Sequence, residues 1–382
     1  MNIRCPCCQT SFEKRGLFSR DKYPAINNVV YKTEEEARNC SVGSIRLVLC
    51  PACNFVFNAV FNENPSIYDE NYDNLRIISP TYRNYLEELT STLSESINKS
   101  DTILEIGCGQ GEFLKGLCLK TGARGSGYDA VYRGKSKPAA NVRFFREYFN
   151  PSQSQEKYDI VILRHVLEHI PQPYLFLKEI CDGDVLKPGA RLWIEVPDYA
   201  WILRKEAFYD ITYEHCNYFL RGTLRNLLAS LGLKVIKLRS VFQGQYILAE
   251  ASNTPDKTNG KNRRTSFTSL LDSIDKLSEK RQEYDNIIKN SGNACVWGAS
   301  GKGVIFLAGL GDRLLRNIKY VIDINPQKQG GFLPVSGKKV NPPEILKQAK
   351  GKLLVLIMNG IYKDEIKTEL ARMCVKARTM VV

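Results

Sequence analysis

The sequence predicts an α/β protein in which a small cysteine-bearing module precedes two successive units of alternating strands and helices. Three observations support this fold class. Short apolar runs alternate with helical segments from residue 101 to residue 252, a pattern typical of βα units around a parallel sheet. A shorter alternation of the same kind begins near residue 293. Cysteines are concentrated in the first 53 residues, which indicates a local metal site.

Composition places the chain among ordinary globular proteins. It has 382 residues, of which 43% are hydrophobic and 25% are charged, enough for two or three domains with sizeable cores. No apolar run is long enough to span a membrane and the amino terminus has no export signal, so we expect a cytoplasmic protein. The net charge of +13 attracts polyanions but does not choose among nucleic acid, anionic membrane and phosphorylated small molecules.

The chain divides into five segments. These are a zinc-binding module over 1–60, a helical connector over 61–100, an α/β core over 101–252, a linker and helix over 253–292, and a second α/β domain over 293–382. In the core, LKVIKL and QYILAEA are separated by too few residues for a parallel crossover, which predicts antiparallel neighbours. Helices are predicted over 111–120, 173–181, 222–231 and 266–290.

Two CxxC pairs predict a structural zinc site. Cys5 with Cys8, and Cys50 with Cys53, each present two sulfurs from one turn, and four thiolates suit a closed tetrahedral zinc ion. The sequence leaves open whether Cys7 replaces Cys8 as a ligand. Free thiols or a redox pair are the alternative.

A glycine loop follows the first strand of the core. The segment DTILEIGCGQGEFL places Gly107, Gly109 and Gly111 between a strand and a helix, with Glu105 at the strand end, and Asp129 closes the next strand. Glycines allow a sharp turn and close approach of the backbone to a ligand, and an acid at the second strand end can accept hydrogen bonds from ribose hydroxyls. A tight turn without a cofactor and a nicotinamide site are the alternatives.

In this ExGxGxG form the loop resembles the first motif of class I S-adenosylmethionine-dependent methyltransferases. The resemblance implies a Rossmann-like core in which the loop lies under the methionine part of the cofactor and Asp129 holds the ribose. The fourth strand YDIVILR and the segment LKPGARLWIEV also match this family. Further expected cofactor contacts are Glu147, Tyr148, Arg164 and His165.

The chain has three histidines, and all of them lie in loops expected at one sheet edge. His165 and His169 follow the fourth strand in RHVLEHIPQP, and His215 lies in DITYEHCNYF. A hydroxyl or carbon acid must lose its proton before it attacks a methyl donor, and histidine is suited to remove it. The three histidines with Glu214 could instead bind a metal, which requires a helix through HVLEH.

The whole chain resembles sugar C-methyltransferases of deoxysugar and antibiotic pathways, which combine a cysteine zinc module, a class I core and a carboxyl-terminal Rossmann-like α/β domain. The resemblance rests on LCPACNFVFN, EIGCGQGEFL, the EHxxYF element, and GASGKG followed by VIDINPQKQGGFLP. It implies that His215 is the general base, with His169 opposite and with Glu214 and Tyr213 as further catalytic candidates. The chain departs from the family at Thr212, where a tyrosine is usual, and at QGQYILAE. We therefore leave methylation of carbon or oxygen open.

The second glycine loop, GASGKG, lies between a strand and a helix, and Asp323 ends the following strand. The family resemblance implies that this domain helps to bind a nucleotide-linked sugar in a cleft against the core. Lys302 and the loop amides at a helix amino terminus suit a diphosphate. The expected acceptor contacts are Tyr68, Tyr72, Ser300, Lys302 and Asp323. A nicotinamide site or a docking domain are the alternatives.

Two other functions remain as alternatives at this point. An RNA methyltransferase would use the zinc module and the positive charge to bind nucleic acid, but the basic residues are scattered and the second glycine loop has no evident use on RNA. A non-catalytic zinc scaffold would keep the first glycine loop without binding a cofactor. The acceptor identity remains open, and a monomer and a homodimer are equally compatible with the sequence.

Overall fold

The amino-terminal module is a small antiparallel sheet with two cysteine turns. The computed structural model describes residues 2–63, 72, 75–254 and 268–382, and Tyr68 lies outside the described residues. The elements of the module are β1 (Asn2–Arg4), β2 (Ser11–Glu13), β3 (Gly16–Pro24), α1 (Glu34–Arg38), β4 (Val42–Leu49) and β5 (Val56–Asn58). Strands β3, β4 and β5 pair antiparallel, and the two CxxC turns connect β1 to β2 and β4 to β5.

A capped amphipathic helix, α2 (Pro80–Ser94), leads into the core. The Ser79 hydroxyl accepts a hydrogen bond from the Tyr82 amide and proline occupies the first turn, both of which favour a helix start. Its buried residues recur at three- and four-residue spacing, so they line one face of the helix. That face packs against the core sheet and one of its helices.

The core is a seven-stranded sheet flanked by helices. Its elements are β6 (Thr102–Ile106), α3 (Glu112–Thr121), β7 (Arg124–Tyr128), β8 (Val142–Phe145), β9 (Tyr158–Arg164), α4 (Pro173–Asp182), β10 (Leu186–Pro197), α5 (Tyr199–Arg204), β11 (Asn217–Tyr218), α6 (Arg221–Ser230), β12 (Lys234–Val241) and β13 (Tyr246–Ser252). Strand β11 lies outside this sheet, whose order is β12-β13-β10-β9-β6-β7-β8. Strand β13 runs antiparallel to both neighbours, so the predicted antiparallel pair is confirmed.

A second, all-parallel sheet forms the carboxyl-terminal part. Its elements are α7 (Thr268–Ser291), β14 (Ala294–Trp297), α8 (Gly301–Ala308), α9 (Asp312–Leu315), β15 (Ile318–Ile322), β16 (Val340–Asn341), β17 (Leu353–Ile357), α10 (Lys363–Arg372) and β18 (Ala377–Val381). The strand order is β16-β15-β14-β17-β18. No helix in the described ranges is both long and apolar enough to cross a membrane.

The three parts share side-chain packing. Strand β11, from the EHCNYF segment, pairs antiparallel with β5 of the amino-terminal module. One buried cluster combines residues of that module, of α5, of α7 and of the carboxyl-terminal sheet. An isolated bridge between Tyr31 and Phe332 joins the module to the carboxyl-terminal part. Residues from all three parts can therefore contribute to one site.

Candidate active site

The first glycine loop borders a cavity of about 1260 Å³ at the carboxyl end of β6. Gly107, Gly109 and Gly111 all have positive φ, a conformation in which other residues are strained. A Cβ on Gly107 would lie 2.3 Å from Val166, and one on Gly111 would lie 2.4 Å from Phe144, whereas one on Gly109 would meet no protein atom within 4 Å. The loop is therefore held by packing at its ends and open to a ligand at its centre.

Two carboxylates face this cavity, as the sequence predicted. Asp129 accepts hydrogen bonds from the amides of Gly109 and Val131, at 2.8 and 2.9 Å, which fix it beside the loop. Glu105 is 2% exposed, and its Oε2 has no hydrogen-bond partner among the described residues. Burial raises the pKa of Glu105 to about 8. A buried carboxyl with one oxygen free of hydrogen bonds to the described residues fits a cationic ligand group.

The remaining predicted cofactor residues lie at two places in this cavity, at its exposed rim and in its buried interior. Glu147 and Tyr148 are exposed and lie at the cavity rim. Arg164 faces the cavity but is engaged by the protein, since its Nε lies 3.3 Å from Glu195 Oε2 and its guanidinium stacks over the Phe113 ring. His165 has a left-handed backbone, and its Nε2 lies 2.8 Å from Glu195 Oε1. Arg164 and His165 therefore form a buried layer beneath the cavity.

A second cavity, of about 1060 Å³, lies between the core, the amino-terminal module and the carboxyl-terminal sheet. The two cavities share six lining residues, so they meet at one wall; the shared residues are Tyr72, Leu75, Arg76, His165, His169 and Glu214. We call the first the cofactor chamber and the second the acceptor chamber. The two chambers are therefore neighbours, separated by these six residues.

His169 and His215 face each other at the floor of the acceptor chamber. Their ring centroids are 4.9 Å apart, edge to face. His169 Nδ1 lies 2.9 Å from the carbonyl oxygen of Glu214, which can only accept, so this nitrogen carries the proton. Burial and the neighbouring His169 lower the pKa of His215 to about 3. His215 is therefore neutral at pH 7 and able to accept a proton.

The turn after β9 excludes the metal set that needs a helix through HVLEH, although Glu168, His169 and His215 still bring one ligand atom each within 4.8 Å of one another. Residues 167–169 form a 3₁₀ turn, so HVLEH is not the α-helix that a paired ligand set requires. The carboxylate near His169 and His215 belongs to Glu168, while the Glu214 side chain lies apart from this cluster.

One prediction about the EHCNYF segment needs correction. Tyr213 lines neither chamber: its hydroxyl bonds to the backbone of Asn62 and its ring packs on Phe61, so it anchors the loop to the start of the connector. In an extended segment Glu214 and His215 would point to opposite sides, but a bend at residues 213–214 brings both side chains to the acceptor chamber. Burial raises the pKa of Glu214 to about 8, although hydrogen bonds from Asn27 oppose the shift.

Thr212 also lines the acceptor chamber, and its hydroxyl accepts a hydrogen bond from the His215 amide at 3.3 Å. The threonine therefore shapes the loop that presents His215. A tyrosine at the same place would project further into the chamber, so this departure changes the space beside His215.

The second glycine loop forms the opposite wall of the acceptor chamber. Asp323 accepts a hydrogen bond from the Ala299 amide at 2.8 Å, which holds the loop to β15. Lys302 was expected to be available to a diphosphate, but its ammonium forms an ion pair with Asp210 and lies over the rings of Trp201 and Tyr209. The cation that reaches Ser300 is Lys328, at 2.6 Å.

The four predicted cysteine ligands come together at one point. The sulfur atoms of Cys5 and Cys53, and those of Cys8 and Cys50, are 3.6 Å apart in each case. Zn–S bonds of about 2.3 Å in a tetrahedron place sulfurs roughly 3.8 Å apart, so the arrangement fits zinc. Cys7 is buried outside this set, which favours Cys8 as the ligand.

Several lining residues escaped the sequence-based prediction. Glu168 stood in the quoted motif RHVLEHIPQP and could have been found from its position between two histidines. Arg76, Asn28 and Lys328 line the acceptor chamber from three different parts of the chain, and no local pattern marked them. Only the tertiary arrangement reveals these residues.

Comparisons with known proteins divide the chain at about residue 240. Residues 80–238 match the family described as "Methyltransferase domain", and residues 250–382 match the one described as "C-methyltransferase C-terminal domain". The C-methyltransferase NovU of Streptomyces niveus is 25% identical over 54% of this chain and 52% of that protein. The chain thus spans about half the length of this relative.

Two solved methyltransferase structures each superpose on less than half of the chain. The 1,6-didemethyltoxoflavin-N1-methyltransferase of Burkholderia thailandensis, with bound S-adenosylhomocysteine, covers 45% of this chain and 78% of its own, at 18% identity and a TM-score of 0.35. The magnesium protoporphyrin IX methyltransferase of Synechocystis PCC 6803 covers 46% of this chain and 84% of its own, at 16% identity and a TM-score of 0.36.

Proposed function

We propose that this S-adenosylmethionine-dependent methyltransferase, identified by its two matched regions, transfers a methyl group to a nucleotide-linked sugar or a related polar small molecule. One observation carries the proposal: a chamber bounded by the glycine loop and a chamber bounded by the histidine pair meet at a shared wall. Methyl transfer requires this, because donor and acceptor must come within bonding distance while each is held separately.

The residues of the cofactor chamber fit S-adenosylmethionine. The open centre of the loop at Gly109 can receive the methionine part, Asp129 is placed for ribose hydroxyls, and Glu105 offers a carboxylate to a positive charge. The cofactor supplies a methyl group bound to a cationic sulfur. The residues that both chambers share would orient this group toward the acceptor.

His215 is the proposed general base. It faces the acceptor chamber, and its lowered pKa keeps the imidazole neutral and able to accept a proton at pH 7. The proton can come from a carbon next to a carbonyl or from a hydroxyl. The descriptions of the carboxyl-terminal match and of NovU favour carbon.

A nucleotide-linked sugar is favoured by the size and polarity of the acceptor chamber. Its volume of about 1060 Å³ exceeds what a simple metabolite needs, and the second glycine loop lies along one wall. Lys328, Ser300 and the loop amides form the proposed contact with the diphosphate, and Asp323 is the proposed contact for a hydroxyl group of the acceptor. Tyr72 and Lys302 lie on the same walls. We further propose that the four cysteines hold a structural zinc ion that supports the module forming the adjacent wall.

Incubation with methyl-labelled S-adenosylmethionine and a panel of nucleotide-linked sugars tests this function. We expect label in at least one sugar product, and NMR of the methylated position distinguishes C–CH₃ from O–CH₃. Structured RNA serves as the competing acceptor. Transfer to RNA alone would contradict the proposal, and calorimetry without detectable cofactor binding would contradict methyltransferase activity itself.

Cofactor binding at pH 7 is expected to release close to one proton per chain. Glu105 is largely protonated without ligand because its pKa is about 8, and a bound cation favours the ionised form. The affinity should therefore rise with pH up to about 8 and level off above it. Calorimetry in buffers with different ionisation enthalpies measures the proton release.

Glu105→Gln should lose this proton release and bind the cofactor roughly tenfold more weakly, as expected for a lost charge-assisted contact. Glu88→Gln, on the exposed face of α2, serves as a matched control with the same loss of charge. Unaltered proton release in Glu105→Gln would assign the proton to another group.

A further inference from the structure

The Glu168 side chain has no part in the function described so far. It lies in the 3₁₀ turn after β9, is 1% exposed, and borders the acceptor chamber. Within the described part of the chain, neither carboxylate oxygen accepts a hydrogen bond. A buried carboxylate without hydrogen bonds is costly, so a compensating positive charge is expected nearby.

All three histidines of the chain surround this carboxylate. One oxygen of Glu168 and one ring nitrogen each of His169 and His215 lie within 4.8 Å of one another. His165 Nδ1 lies 3.5 Å from Glu168 Oε1. The arrangement therefore places one negative charge beside His169 and His215, whose pKa values burial holds below the ordinary value for histidine.

Other elements contribute few opposing groups. Burial is the main cause of the lowered pKa of His169 and His215, and the positive charge of Arg76 in the connector adds to it. From the EHCNYF segment the Cys216 thiol donates to the backbone oxygen of Glu168. Burial alone would raise the pKa of Glu168, but the neighbouring histidines outweigh it and hold the pKa below its ordinary value. Glu168 is therefore ionised at neutral pH.

We infer that Glu168 is a positioning residue whose negative charge stabilises the imidazolium that forms when His215 takes the proton of the acceptor. The inference rests on the proposed function, and it explains how a desolvated histidine can act as a base. The acceptor proton moves to the free ring nitrogen of His215. The electron pair left on the acceptor forms the bond to the methyl carbon, and the electrons of the broken C–S bond neutralise the sulfonium. One positive charge thus moves from sulfur to an imidazole beside Glu168.

The small number of histidines makes a direct measurement practical. Selective isotope labelling of histidine gives three imidazole signals to follow by NMR during a pH titration, each assigned with a single His→Gln variant. In Glu168→Gln, which keeps the side-chain shape and removes the charge, we expect the apparent pKa of His215 to fall by on the order of one unit. Glu88→Gln should leave it unchanged.

Kinetics with an acceptor found in the sugar panel supply the second readout. Glu168→Gln should lower kcat roughly 10- to 100-fold with KM for both substrates kept within about twofold, because the charge acts on the transition state. The acid limb of the pH–rate profile should move to lower pH, since the neighbouring anion no longer favours the protonated histidine. Glu168→Asp retains the charge and should recover most of the turnover.

Three results would overturn the inference. An unchanged His215 titration in Glu168→Gln would show that the charge does not act on the base, whether or not the enzyme is active. An unchanged kcat would show that it does not act in catalysis. A second metal ion per chain, found by elemental analysis and lost in Glu168→Gln, would make the carboxylate a metal ligand instead. If Glu168→Gln does not fold, Glu168→Asp replaces it, because aspartate keeps the negative charge. A folded Glu168→Asp with both a lower His215 pKa and a kcat as low as that expected for Glu168→Gln would contradict the inference.

Discussion

Replacing His215 with alanine is expected to reduce turnover by about 10²- to 10⁴-fold, the usual contribution of a positioned general base. The side chain borders the acceptor chamber and not the cofactor chamber, so affinity for S-adenosylmethionine should change by less than about twofold. Steady-state kinetics with the acceptor from the sugar panel, together with calorimetry for the cofactor, measure both quantities. A large loss of turnover with unchanged cofactor affinity identifies a group that acts on the acceptor.

Tyr213→Phe is the matched control for this experiment. Tyr213 is two residues before the base but bonds to the backbone of Asn62, outside both chambers. We expect this variant to lose some stability, about 1–3 kcal/mol for two buried hydrogen bonds, and to keep most of its turnover. Retained turnover in His215→Ala, or a larger kinetic loss in Tyr213→Phe, would reverse the roles assigned here.

Cys50→Ser is expected to remove the bound zinc and to lower the midpoint of thermal unfolding by on the order of 10 °C. Structural zinc supplies roughly 10–16 kcal/mol to the folding of small zinc peptides, and a loss of about half of that is large for a domain of this size. Cys50 is fully buried and its sulfur lies 3.6 Å from that of Cys8, so serine cannot restore the site. Elemental analysis gives the zinc content and calorimetry the midpoint.

Cys374→Ser is the corresponding control, because Cys374 is exposed and far from the cysteine cluster in sequence and structure. This variant should keep one zinc ion and the wild-type midpoint. The same thermal midpoint in Cys50→Ser would contradict a structural role for the metal. Wild-type protein purified under zinc-replete conditions but free of metal would contradict the zinc site itself.

Strands and helices of the core were predictable because their apolar periodicity is a local property. The helix predicted over 173–181 is observed at Pro173–Asp182, and the antiparallel edge pair follows from the short connection before β13. Helix α5 was not predicted, since six residues are too few to show a period. Strand β11 was not predicted either, because its partner β5 lies about 160 residues earlier in the chain.

The candidate site was predictable where one motif carries the chemistry. The glycine loop, Glu105 and Asp129 form such a motif, and the structure places them together around one cavity. The position of Tyr213 could not be read from the sequence, since the bend at residues 213–214 determines which side chains face the chamber. The Lys302–Asp210 ion pair also escaped prediction, because it joins residues 92 positions apart.

The pairing of β11 with β5 has a consequence for recombination between related enzymes. Two hydrogen-bonded residues from the segment that carries His215 complete the sheet of the amino-terminal module. A chimaera that exchanged only the first 60 residues would set a foreign strand against Asn217 and Tyr218, and a mismatch there would shift the catalytic loop. A chimaera that folds and stays active should therefore exchange residues 1–60 together with residues 211–219. The two segments would be exchanged as one unit, although the first glycine loop lies between them in the sequence.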